Sequence, residues 1–160
     1  MRDARNGRLP RRTIITTAFA ALVAAVLTAC GQGESGGTKG PVVVGSVDDV
    51  KRALADQKYV RNDAGHFYLL SAAPDAVIAV SWRCTHQGCT VNAPDAQSGR
   101  LVCPCHSSLF DAHTGTVVGG PATRPLDWIP VTLENGTVTV DTSRVTTRRT
   151  FDASQVTQLP

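Results

Sequence analysis

Apolar residues in this chain of 160 fall into short runs rather than long stripes of helical period. The stretches 42–44, 66–70, 77–82, 100–102, 116–118, 129–133 and 137–140 are rich in β-branched and aromatic residues and are separated by Gly, Pro, Asn and Asp. That pattern predicts strands. Glu134-Asn135-Gly136 between the last two predicts a hairpin, because Asn-Gly tolerates the positive φ of a tight turn. Residues 48–56 predict one or two helical turns. With no long amphipathic helix and no internal repeat, the expected fold class is all-β, a domain of small antiparallel sheets.

The front of the chain follows other rules. Residues 14–29 form an apolar run of 16, shorter than the roughly 20 that span a bilayer. Leu27-Thr28-Ala29 then precedes Cys30, which resembles a bacterial lipobox and makes Cys30 the lipidated first residue of a mature protein. The alternative is a buried free thiol inside a membrane helix. Arg11-Arg12-Thr13-Ile14-Ile15 resembles a twin-arginine export signal, the alternative being the basic start of a general secretory signal. The expected organisation is a cleaved signal peptide at 1–29, a lipidated Cys and Gly-rich tether at 30–41, a domain at 42–141 and a C-terminal extension at 142–160. Eleven residues of Gly-rich coil reach about 20 Å.

Charge narrows the partners. Five of the 16 basic residues and one of the 13 acidic ones precede Cys30, leaving 11 basic against 12 acidic. Nothing in that balance points to nucleic acid. The basic run 144–149 reads as solvated surface.

The chemistry lies in two boxes, Cys84-Thr85-His86-Gln87-Gly88-Cys89 and Cys103-Pro104-Cys105-His106. Each offers one thiolate and one imidazole in a C-x-H or C-x-x-H arrangement, with a further cysteine beside them. A 2Fe-2S centre with two Cys on one iron and two His on the other needs that inventory. A Cys₂His₂ zinc knuckle uses the same ligand types but leaves Cys89 and Cys105 without a task. Both boxes follow predicted strands, and 90–99 between them, with Pro94 and Ser98-Gly99, reads as a solvent-facing connection. His66, beside Phe67 in a strand, and His113, in a turn, read as ordinary structural residues.

C-T-H-x-G-C followed by C-P-C-H-x-S resembles the Rieske iron-sulfur signature in its disulfide-containing subclass, over roughly residues 42–140. The resemblance implies Cys84 and Cys103 on one iron, His86 and His106 on the other, and a Cys89–Cys105 bridge. It implies two cluster-binding loops at one tip of the fold, and a third loop, 119–122 with Pro121, covering the cluster. Ser108 matches the family serine whose hydroxyl bonds a bridging sulfide. Phe110 departs from the tyrosine of high-potential respiratory members, Gln87 replaces their usual apolar residue, and Ser107 replaces a common glycine.

The function this implies is a 2Fe-2S electron carrier with no catalytic residue of its own, passing electrons between redox partner proteins. Its expected place is the outer face of the bacterial cytoplasmic membrane, lipid-anchored and exported folded, because cluster assembly needs a reducing compartment. One alternative is the iron-sulfur subunit of a quinol:cytochrome c oxidoreductase or related oxidase. A second is a non-redox zinc module. A complete Rieske oxygenase would require a further, larger domain holding a mononuclear iron.

Overall fold

The computed structural model describes residues 37–94 and 98–160. Three antiparallel sheets carry the architecture. The first joins β1 (Pro41–Ser46), β10 (Thr137–Asp141) and β9 (Val131–Glu134) in the order β1-β10-β9. Its β9–β10 hairpin turns through Asn135 and Gly136, both at positive φ, as the Asn-Gly pair predicts.

The second sheet runs β11 (Thr157–Gln158), β4 (Ala76–Ser81), β3 (Phe67–Ala73), β2 (Tyr59–Asn62), with β8 (Trp128–Ile129) sharing the β11 edge of β4. Side chains alternate across a strand, so β3 and β4 divide their apolar residues between two cores. Phe67, Leu69, Val77 and Ala79 face one, and Tyr68, Leu70, Ile78 and Val80 face the other. All eight are completely buried. Each large side chain buried this way contributes about 1.5–3 kcal/mol, which makes this strand pair the rigid centre of the fold.

The first core is closed by α1 (Val47–Gln57) through Val50 and Leu54. Ser46 caps this helix, its Oγ accepting the Asp49 N–H at 3.1 Å, and Lys58 ends it in the left-handed conformation. The helix runs longer than the one or two turns expected from sequence, because both caps and an apolar face at i, i+3, i+7 support it.

The third sheet, β5 (Arg100–Val102), β6 (Leu109–Asp111) and β7 (Val117–Gly119), packs over the second core. Strand β6 escaped the sequence reading because three residues behind a Cys-His box carry no periodicity. Val91, expected in a solvent-facing connection, is fully buried in that core.

Both ends of the described chain are fastened to the domain. Gly37 N–H donates to His66 Nδ1 at 3.2 Å, and the Thr142 hydroxyl bonds the backbone at 38 and 40, so residues 37–40 are tied down rather than free coil. Residues 142–160 return across the molecule, where β11 pairs with β4 and Leu159 enters the first core. The basic run is corrected at one position. Arg148 is only 4 % exposed, donating to the Leu126 carbonyl at 2.7 Å, the Thr114 carbonyl and Gln155 Oε1 at 3.1 Å.

Candidate metal centre

Strand β4 delivers the first box and the β5–β6 turn contains the second. The two boxes fold alike. Cys84 N–H donates to the Cys89 carbonyl and Gly88 N–H to the Cys84 carbonyl, both at 2.8 Å. Cys103 N–H donates to the Ser108 carbonyl at 2.8 Å and Ser107 N–H to the Cys103 carbonyl at 3.0 Å. Each loop therefore turns its first cysteine inward and its histidine toward the rim. Cys84 and Cys103 are 3 % and 1 % exposed and carry free thiols, whereas His86 is half-buried and His106 exposed.

Cys89 and Cys105 are joined by a disulfide that locks the two loops together. The sulfurs of Cys89, Cys103 and Cys105 lie within 4.8 Å of one another, but of these only Cys103 keeps a thiol that can become a thiolate ligand. Burial, and then the neighbouring Cys84 thiol, push the Cys103 thiol above its usual range. A buried thiol of this kind resists ionisation unless a cation compensates it. The rings of His86 and His106 meet edge to face with centroids 4.9 Å apart. His86 Nδ1 is buried without a hydrogen-bond partner among the described residues, a costly state for an imidazole nitrogen in the absence of a metal. Two free thiols and two contacting imidazoles, carried on two loops joined by a disulfide, are a donor set whose chemistry suits an inorganic centre.

The third loop follows β7 and lies against the second box. Ala122 N–H donates to Ser108 Oγ at 3.1 Å, and Ser108 is fully buried. A Cβ added at Gly120 would stand 2.5 Å from the Ser107 carbonyl and 2.6 Å from Ser108 Cα, so glycine is what permits this approach. Pro121 is exposed at the loop's tip. A tie that sequence reasoning missed joins the same loop to the first box, where Thr85 Oγ1 donates to the Arg124 carbonyl at 2.7 Å. No local signal marks it, since its partners are 39 residues apart. Phe110 is fully buried in the core that contains Cys84 and Cys103, and Gln87 is exposed.

His66 lies in a turn at φ 56° rather than in the strand expected, and its ring stacks on Trp82 at 4.6 Å. His113 Nδ1 meets the Ser71 carbonyl at 2.7 Å. Arg11, Arg12 and Cys30 lie outside the described residues, and among the described residues no helix is long and apolar enough to cross a membrane.

Residues 40–138 match the family model for the Rieske [2Fe-2S] domain. A 57-residue stretch is 49% identical to the cytochrome bc1 complex Rieske iron-sulfur subunit of Corynebacterium diphtheriae, covering 35% of this chain and 14% of that protein. Over 87 residues the chain is 40% identical to the cytochrome b6-f complex iron-sulfur subunit of Parasynechococcus marenigrum, covering 53% of this chain and 48% of that one. The match therefore spans less than half of these curated relatives. Among solved structures, the cyanobacterial plasma membrane Rieske protein from Synechocystis PCC 6803 is 32% identical with a TM-score of 0.48, covering 62% of this chain and 97% of that one. The family match embraces both boxes and most of the described fold, and the chain belongs to the Rieske [2Fe-2S] domain family.

Proposed function

We propose that this protein is a membrane-anchored electron carrier in which Cys84 and Cys103 hold one iron of a 2Fe-2S cluster and His86 and His106 the other. The observation that carries the assignment is a pair of buried free thiols and a pair of contacting imidazoles, one with an orphaned Nδ1, on two disulfide-linked loops of a Rieske domain. When bound, such a cluster takes up and returns one electron.

The chain's own residues set the terms of that exchange. The buried cysteines exclude water from the thiolate side, while His86 and His106 stand on the outer side, where a partner can approach. Neutral imidazole in place of thiolate raises the potential. Ser108 holds the Pro121 loop by accepting from Ala122, and among the described residues nothing accepts its own proton, which leaves that proton to bond a sulfide.

Lipid on Cys30, with export through Arg11 and Arg12, places the carrier on the outer face of the cytoplasmic membrane. A second reading, the iron-sulfur subunit of a quinol-oxidising cytochrome complex, draws on the 49% identity to a bc1 subunit. Metal and sulfide analysis of the purified protein should find two irons and two acid-labile sulfides, lost on replacing any of the four ligands. Zinc without visible absorption would refute the assignment. Mass analysis should find a mature N-terminus at an acylated Cys30, and Lys at both 11 and 12 should block export. An N-terminus upstream, with 14–29 retained, would favour the subunit.

A further inference from the structure

A groove of about 380 Å³ opens beside His86, with Arg83 and Gln87 on one wall and Arg124 on the other. Its charged lining is Arg83, Arg124 and Asp127, which leaves one positive charge in excess. Arg124 is paired with Asp127, and the Thr85 bond to its carbonyl fixes its backbone. Arg83 is different. It is exposed, has no carboxylate partner among the described residues, and its guanidinium lies across Gly88, where a Cβ would approach Nε to 2.9 Å.

We propose that this groove is the docking site for the carboxylate-bearing face of an anionic redox protein, anchored by Arg83. The proposal rests on the electron-transfer reading above and names the partner's chemistry. Two facts together select that occupant. The unpaired guanidinium is matched by a carboxylate, with which it forms a forked pair. His86, the exit for the electron under that reading, lines the same groove, so a redox partner seated there stands beside the group that would deliver the electron. A lipid surface offers anions but no electron acceptor.

The expected selectivity runs against the protein's overall charge. From Cys30 onward the chain carries 11 basic and 12 acidic residues, so its total charge would favour a cationic partner. Local charge at the exit determines the encounter instead, because at 0.1 M salt charges beyond about 10 Å are screened.

Stopped-flow oxidation of the reduced protein by hexacyanoferrate(III) and by tris(phenanthroline)cobalt(III) tests this. Each probe takes one electron, reducing its own metal and oxidising the protein's cluster, with no atom transferred. In the wild type the anion's rate should fall with salt and the cation's should rise. Arg83→Glu should slow the anion about tenfold at low salt and speed the cation, while Arg83→Lys stays near wild type. Redox-inert hexacyanochromate(III) should also protect Arg83 from phenylglyoxal, read by peptide mass analysis. Equal responses to the two probes, or Arg83-dependent binding to anionic phospholipid vesicles, would overturn the docking assignment. A protein that reduces neither probe would sink the electron-transfer reading itself. The wild-type salt dependence stands even where a variant fails to fold.

Discussion

Gly88 and Ser107 hold the same place in two loops folded alike, each donating its N–H to the carbonyl of the cysteine four residues before it, at φ 80° and 58°. Glycine meets that conformation freely, but an L-residue there costs about 1–2 kcal/mol. Ser107→Gly should therefore stabilise the second box, with part of the gain offset by the greater chain entropy of glycine. The expected net is about 0.5 kcal/mol, seen as a higher midpoint for thermal loss of the visible spectrum. Gly88→Ala should lower that midpoint, since it adds the same strain and displaces Arg83. A fall in Ser107→Gly would show that the serine side chain supports the loop.

Gly120→Ala combines two penalties, a left-handed φ of 80° and a Cβ within 3 Å of the Ser107 and Ser108 backbone. Backbone cannot give way as a flexible side chain can, so the Pro121 loop must lift. A loss of about 2–3 kcal/mol is expected, with faster hydrogen exchange at the Ala122 amide. Wild-type exchange at that amide would contradict the packing described.

Removing the Cys89–Cys105 bridge should leave a cluster that assembles but is lost more readily. The bridge spans 16 residues, and closing a loop of about 15 contributes about 3 kcal/mol in the chain-entropy model. Each single serine variant leaves a free thiol near Cys103, where three sulfurs lie within 4.8 Å. Such a thiol competes for iron, so the double serine variant should assemble a more homogeneous cluster than either single one. Electron paramagnetic resonance line shape and the rate of cluster loss would separate them, and indistinguishable singles and double would remove the competition argument.

Arg148 pins the C-terminal segment to the stretch that leads into and out of the Pro121 loop, through the Thr114 and Leu126 carbonyls. Burial pushes its pKa down to about 10, with Asp127 acting the other way, so it stays charged at neutral pH. Arg148→Met would leave two carbonyls without their donor, at about 1–3 kcal/mol for each buried group. Arg148→Lys should recover little, since an ammonium cannot span partners that a planar guanidinium reaches together. Thermal midpoints of the two variants check this, and a Lys variant equal to wild type would show that charge alone suffices.

The site was legible because ligand chemistry fixes residue type and spacing within a few positions, so both boxes stand out in one sequence. The centre of the fold was legible for a similar reason. Continuous apolar runs at 67–70 and 76–80 belong to strands buried on both faces. What escaped depends on distant partners. Arg148 reads as surface among its basic neighbours, and only carbonyls 22 and 34 residues away make it interior. Strand β11 is two residues that exist because the edge of β4 is open beside β8. Residues 37–40 look like free tether until Thr142 and His66 bind their backbone.

Position 110 is where this chain carries Phe in place of the tyrosine of high-potential family members, and the reduction potential is expected to follow. Phe110 is fully buried in the core that holds Cys84 and Cys103, and its ring has no hydrogen-bond donor for a ligand sulfur. The potential should lie below that of tyrosine-bearing members, within the Rieske window of about −150 to +300 mV. Phe110→Tyr should raise it, because a hydroxyl donated to thiolate sulfur favours the more negative, reduced state. A hydrogen bond to a charged group is worth about 1.5–3 kcal/mol, and about 1.4 kcal/mol corresponds to roughly 59 mV for a one-electron couple. The ceiling is therefore on the order of 100 mV. Most of that bond persists in both redox states, so a rise of some tens of millivolts is expected. Protein-film voltammetry of the two proteins at one pH measures it. An unchanged or lowered potential would mean that the para position of residue 110 points away from both sulfurs and into the apolar core around Leu101 and Leu126.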